Sequence, residues 1–155
     1  MELIGGEKPK GCIFCLFPAE EGEEADRKNL IVARTDRSFV ILNRFPYNNG
    51  HVMVIPRRHT GELTELPQDD FADLHQLLRR TVEVVKDAYR PQGFNVGMNL
   101  GECAGAGIAA HLHYHVVPRW NGDTNFMPVL ADTKVMIEHL SQTQAKLKAG
   151  FDRIR

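Results

Sequence analysis

From residue 111 to residue 116 the chain alternates imidazole and largely apolar side chains: His111, Leu112, His113, Tyr114, His115, Val116. A period of two is that of a β-strand, whose side chains point in turn to opposite faces. The three imidazoles then make a row on one face, while Leu112, Tyr114 and Val116 pack on the other. A lone histidine is commonly a hydrogen-bonded polar residue and nothing more. Three in a row are harder to explain that way, because imidazoliums repel one another and polar rings displace core. Two chemistries fit such a row. One is metal binding by neutral imidazoles. The other is nucleophilic catalysis, in which one ring attacks while its neighbours fix its tautomer and supply protons. The preceding segment, Gly101-Glu102-Cys103-Ala104-Gly105-Ala106-Gly107, favours the second. Its small residues allow close backbone approach, and such a loop can aim amide N–H groups at an anion.

The rest of the pattern describes the fold around this row. Leu30–Arg34 and Phe39–Asn43 are β-rich runs flanking Thr35-Asp36-Arg37-Ser38, a hairpin signal. His51–Ile55 reads as a third strand, stopped by Pro56. Pro67 opens a long helix in which Phe71, Leu74, Leu77, Leu78, Val82, Val85 and Tyr89 recur at helical spacing. Asp69, Asp70 and Asp73 stand near its start and Lys86 and Arg90 near its end, as the helix dipole favours. Phe94–Asn99 and Leu112–Val117 read as further strands, and about Thr133–Lys148 as a weaker C-terminal helix. The acidic stretch Glu20–Lys28 reads as an exposed loop. The expected fold is α+β, an antiparallel sheet with one long helix and a C-terminal helix. A single domain over residues 1–155, with 120–155 as a C-terminal extension, suits the length.

Formal net charge is −1, which gives no global electrostatic case for nucleic acid or an anionic membrane. No apolar run approaches the ~20 residues of a transmembrane helix. The start, Met1-Glu2-Leu3-Ile4-Gly5-Gly6-Glu7-Lys8, does not read as a signal peptide. With three cysteines, one must stay unpaired if two form a disulfide. A reducing cytoplasm is the expected compartment.

His-x-His-x-His followed by Val116-Val117-Pro118-Arg119 resembles the signature of the histidine triad family. Asn43-Arg44-x-Pro46, Gly50-His51-Val52-Met53-Val54-Ile55-Pro56 and Phe94-Asn95 match in the same order, so the likeness runs from about Cys12 to Arg119. The resemblance implies a homodimer that binds a nucleotide beside the triad. It implies that His113 takes up the nucleotidyl group from an α-phosphate, that His115 contacts the phosphate or leaving group, and that His51 supports both. Asn43 matches a ribose-contacting position, with Leu42 and Phe14 beside the base. Asn99 and the Gly105-Ala106-Gly107 loop match the phosphate side. Where many hydrolases of the family carry Gly-Gln-Ser/Thr, this chain has Ala106-Gly107-Ile108. That loop, with Pro118-Arg119-Trp120 and Gly122–Met127, is more similar to the branch of bacterial diadenosine tetraphosphate phosphorylases, in which phosphate replaces water as acceptor. Hydrolysis of nucleoside phosphoramidates and nucleotide sensing with incidental turnover are the alternatives.

Cys12-Ile13-Phe14-Cys15 has the gap of a zinc knuckle, although two small apolar cysteines beside a buried phenylalanine would also account for it. The resemblance extends to galactose-1-phosphate uridylyltransferases. There, zinc is held at positions matching Cys12, Cys15, His59 and His111. It therefore implies a structural zinc ion, with His111 a ligand and His113 the nucleophile. His75, His139 and Cys103 read as structural or solvated.

Overall fold

The computed structural model describes residues 11–123 and 138–154. Within these, five strands pair into one antiparallel sheet: β1 (Ile31–Arg34), β2 (Ser38–Leu42), β3 (Val52–Pro56), β4 (Gly93–Met98) and β5 (Tyr114–Arg119). Their spatial order is β1-β2-β3-β5-β4, so β5 is an interior strand, paired with β3 on one side and β4 on the other. The α+β architecture agrees with the expectation.

The two faces carry separate apolar clusters. Val32, Val40, Leu42, Val52, Val54 and Val116 point to one side, against α3 (Gln68–Tyr89) and α4 (Leu140–Arg153). Leu74, Leu77, Val84 and Val85 of α3 and Leu147 and Phe151 of α4 complete this core. Each such side chain contributes about 1.5–3 kcal/mol by leaving water. Ile31, Phe39, Ile41, Met53 and Ile55 point to the other side, where Phe14 of the short helix α1 (Ile13–Leu16) covers them. The helix α3 starts after Pro67, as its sequence suggests, and ends at Arg90 in the left-handed conformation just before Pro91. Its first turn is tied to the sheet by the buried Asp70, which accepts hydrogen bonds from Arg37 at 2.6 Å and Arg58 at 2.9 Å. No helix among the described residues is long and apolar enough to cross a membrane.

Three expectations change. The acidic stretch is not simply a loop, because Glu23–Asn29 forms a helix, α2. Glu23, Glu24 and Asp26 occupy its first turn and Arg27 and Lys28 its last, which the helix dipole stabilises. Asp26 is buried and receives two hydrogen bonds from Arg34, fixing α2 to β1. The C-terminal helix runs past Lys148 to Arg153, and residues 133–137 of the expected span lie outside those described. Gly150 belongs inside it because a Cβ there would stand 2.7 Å from Val84 Cγ1, where α3 and α4 approach closely. Finally, β5 begins at Tyr114, so His111 and His113 precede the paired strand. The Leu112 N–H goes instead to the Thr60 carbonyl, at 2.8 Å. Leu112 and Val116 still lie in the helix-side core and Tyr114 packs against it, so the two-residue alternation survives.

Candidate active site

His115 stands opposite Met53 on β3 and Gly97 on β4, on the sheet face away from α3. His51 comes immediately before β3, at the end of a loop that begins with Asn43. That loop is closed by its own hydrogen bonds: Phe45 N–H to Asn43 Oδ1 at 2.9 Å, and His51 N–H to Asn48 O at 3.1 Å. Gly50 turns it with φ of 79°, and a Cβ there would press within 3.0 Å of the Tyr89 ring. His51 is thereby delivered to His115, with 3.0 Å between His51 Nε2 and His115 Nδ1.

Hydrogen bonds set the tautomers. The Tyr47 N–H donates to His51 Nδ1 at 3.1 Å, so a neutral His51 carries its proton on Nε2 and donates it to His115 Nδ1. His115 is left with its own N–H on Nε2. Burial, and then the neighbouring His113, push the His115 pKa down, which keeps this ring neutral. His113 Nδ1 lies 2.8 Å from the His111 carbonyl, an acceptor only, so its proton sits on Nδ1 and Nε2 keeps the lone pair. His113 and His115 are neighbours, with ring centroids 5.0 Å apart at 74°. The arrangement therefore pairs a nucleophilic nitrogen with an adjacent proton donor.

His111 belongs to a different group. The ligand atoms of Cys12, Cys15, His59 and His111 all lie within 4.8 Å of one another. Cys12 Sγ is 3.4 Å and Cys15 Sγ 3.6 Å from His111 Nδ1; Cys15 Sγ is 3.3 Å and His111 Nδ1 3.2 Å from His59 Nδ1. Tetrahedral zinc with Zn–S of ~2.3 Å and Zn–N of ~2.1 Å spaces its ligand atoms by roughly 3.3–3.8 Å. The donor set thus fits a closed tetrahedral ion. His111 Nε2 donates to the Pro56 carbonyl at 2.8 Å, which leaves Nδ1 free of its proton for a metal. Burial first, and then its histidine neighbours, oppose protonation of His111. The segment that leaves β3 and the one that leads into β5 meet here. The Cβ of a side chain at Gly61 would come 2.4 Å from Ala109 O, so only glycine lets the His59 segment pack against the one leading to His111.

The other residues marked by sequence are placed unevenly. Phe14 lies beside both groups, with ring centroids 5.5 Å from His111 and 5.2 Å from His113, but it is buried and packs in the smaller core. Leu42 is a correction. It is buried in the helix-side core, on the face opposite the triad, because its neighbour Ile41 is the residue of β2 that faces the triad side. Asn43 is half-buried beside His51, and Asn99 donates to Gly105 O at 3.2 Å, joining the end of β4 to the glycine-rich loop. Within that loop the N–H groups of Ala104, Gly105 and Ala106 bond to carbonyls of Gly101 and Glu102. An anion held there would draw on amides from Gly107 onward. His75 is structural, bonding to Phe71 O and Tyr114 Oη, and Cys103 is exposed. Residues 124–127 of the C-terminal motif lie outside those described.

Sequence reasoning missed Tyr47, whose ring stacks on His51 at 5.0 Å and 15°. Its signal was the turn between Asn43 and His51, which must place some backbone donor against that histidine. It also missed an open cavity of about 570 Å³ beyond His115, over β4 and β5.

A HIT domain family model matches residues 24–122. An AP-4-A phosphorylase of Mycobacterium tuberculosis is 43% identical over 129 residues, covering 83% of this chain; the chain in turn covers 66% of that relative's length. Adenosine 5'-monophosphoramidase hnt1 of Schizosaccharomyces pombe is 31% identical over 110 residues, 71% of this chain and 75% of that protein. Among solved structures, a hypothetical histidine triad nucleotide-binding protein of Sulfolobus tokodaii superposes with a TM-score of 0.73 at 27% identity, covering 92% of this chain and 93% of that one. With the triad, its supporting histidine and these matches in agreement, the chain belongs to the histidine triad (HIT) family.

Proposed function

We propose that the protein is an enzyme that cleaves a nucleotide phosphoanhydride, the substrate being a dinucleoside polyphosphate such as diadenosine tetraphosphate, through a nucleotidyl-His113 intermediate. The observation that carries this is the 2.8 Å hydrogen bond from His113 Nδ1 to the His111 carbonyl. It presents Nε2 as the attacking atom and stabilises the imidazolium that attack creates. His113 Nε2 forms a bond to the α-phosphorus as the bond to the bridging oxygen breaks. The bridging oxygen departs on its phosphate as an anion, stabilised by a hydrogen bond from His115 Nε2–H, and His51 donates to His115 Nδ1 throughout. An acceptor oxygen, of phosphate or of water, then displaces His113 from phosphorus. Asn43 meets the ribose, Phe14 borders the base, and Asn99 with the amides from Gly107 onward holds the phosphate, Gly105 and Ala106 shaping the loop. Phosphate is the favoured acceptor, because Ala106-Gly107-Ile108 is smaller than a glutamine-bearing loop and leaves room for a second anion.

Cys12, Cys15, His59 and His111 hold one structural zinc ion, whose closed coordination stabilises the N-terminal turn and takes no part in the transfer. Reduced thiols suit a cytoplasmic setting. The family resemblance supports a homodimer.

Diadenosine tetraphosphate is the direct test. With phosphate it should give ATP and ADP, and with water ATP and AMP. AMP dominating at saturating phosphate would make the enzyme a hydrolase, and no cleavage under either condition would overturn the reading. The likeness to a monophosphoramidase supports a second substrate class, nucleoside phosphoramidates, assayed in parallel.

A further inference from the structure

Gly97 is unusual among the residues of β4 and β5 that share the triad face. Asn95 on its own strand and Asn99 just past the strand's end flank it, and His115, Val117 and Arg119 stand on the next strand. Glycine in a strand weakens it and ordinarily marks a bulge or a close backbone contact. Neither applies here. The register with β5 is regular from Gly93 to Met98, and a Cβ added at Gly97 would meet nothing within 4 Å. Its φ is not in the left-handed range either. The backbone and the packing of the described residues would both accept a side chain, so the bare position beside His115 keeps space open.

That space is the cavity of about 570 Å³. Its chemistry is not that of a polyphosphate site. The Arg119 guanidinium is clamped on both Asp123 oxygens, at 2.6 and 2.7 Å, and also donates to Asn95 Oδ1 at 2.7 Å. The carboxylate cancels the one cation among the described residues of the lining. The bond from Arg119 also turns the Asn95 amide so that its NH2 group is the end left to a ligand. Tyr47, 62% exposed, supplies an aromatic face at the rim, and Val117 an apolar floor. A neutral ligand with an aromatic ring and polar edges fits this lining better than a second anion.

We infer that the cavity binds the departing nucleoside, the half of a dinucleoside polyphosphate that is released rather than carried on His113. The assignment rests on the reading of His113 and His115 given above. It divides the face into two ends. Phe14 and α1 close it beside His113, where the transferred nucleotide sits. Among the described residues it stays open beyond His115, where the leaving group goes. A strand rise of ~3.3 Å per residue sets Arg119 roughly 13 Å past His115, within reach of a nucleoside at the end of a triphosphate. Selectivity for two-ended substrates then comes from β4, on the far side of His115 from the nucleophile.

The test compares diadenosine tetraphosphate with adenosine 5'-tetraphosphate, which has the same bond at the α-phosphorus and no second nucleoside. The intact protein should prefer the dinucleoside at least tenfold in kcat/KM. Gly97→Leu should remove most of that preference while changing kcat/KM for adenosine tetraphosphate by less than about threefold. Asn95→Leu, two residues further from His115, should do the same to a smaller degree. Equal treatment of both substrates by the intact protein, or an equal fall for both in Gly97→Leu, would overturn the inference and leave the reaction itself standing. If neither substrate is turned over, the reaction is wrong, and dissociation constants for the two compounds decide the cavity. A tighter dinucleoside complex that Gly97→Leu loosens, with the mass in solution unchanged, supports the site; equal constants, or a variant that only alters assembly, overturn it.

Discussion

His51 Nε2 and His115 Nδ1 lie 3.0 Å apart, and the proton between them is directed from outside the pair by the Tyr47 N–H. His51→Ala removes the donor that holds His115 in its Nε2–H tautomer, the one proposed to stabilise the leaving group. We expect kcat to fall roughly 10²-fold, with KM within about threefold. A variant with unchanged kcat would show that His115 needs no such support.

His113→Asn should abolish turnover and keep nucleotide binding, because the pocket survives without the attacking nitrogen. Retention of more than about a tenth of kcat, less than ~1.4 kcal/mol in the barrier, would remove His113 from the role of nucleophile. Acid quench of the intact enzyme should trap a nucleotide on this histidine.

The extent to which the sequence disclosed these features varies by residue. The alternation 111–116 was readable because apolar and imidazole side chains sort by face even where the segment is not paired as a strand. Cys12 and Cys15 were readable as ligands only through resemblance, since the partners His59 and His111 come from segments 44 and 96 residues away from Cys15. Leu42 was assigned to the wrong face because a one-residue shift reverses a strand side chain. The helix at Glu23–Asn29 was hidden by its composition: it has no apolar stripe, and its contact with the sheet is made by a buried aspartate. Gly97 gave no signal at all, because its importance lies in what is not beside it.

Metal analysis of protein purified without added zinc should find one ion per chain. Cys12→Ser should lower both metal content and melting temperature, since metal binding contributes folding free energy. No metal in the purified wild type, with Cys12→Ser melting like that wild type, would return the two cysteines to the apolar core.

Gly61→Val tests how the metal ligands are brought together. A Cβ only 2.4 Å from Ala109 O must push the two segments apart. We expect a loss of about 1–3 kcal/mol in stability, with weaker metal retention. Full stability in this variant would mean that the segments separate freely.

Asp70 makes a prediction for acid. Hydrogen bonds from Arg58 and then Arg37 hold its carboxyl below the usual carboxylate range, against the opposing effect of burial. A lowered folded value means that this stabilisation is fully present above the unfolded pKa of ~3.9 and is lost as pH falls through the folded one. Asp70→Asn should cost about 1–2 kcal/mol at neutral pH, the arginines being half-exposed, and should flatten the stability curve below pH ~4. An unchanged acid limb would place the titration elsewhere.

His111 turns its ring to Cys12, 99 residues away in the chain, and its carbonyl to His113. Closing so long a loop is entropically expensive and belongs late in folding. If His113 is the nucleophile, the carbonyl that orients it should settle only when the N-terminal turn docks, after the sheet has formed. Catalytic competence should then be the last property the chain acquires. Refolding followed at once by circular dichroism and by turnover should show activity trailing the secondary structure, and simultaneous recovery would mean that residue 111 finds its place without the N-terminal turn.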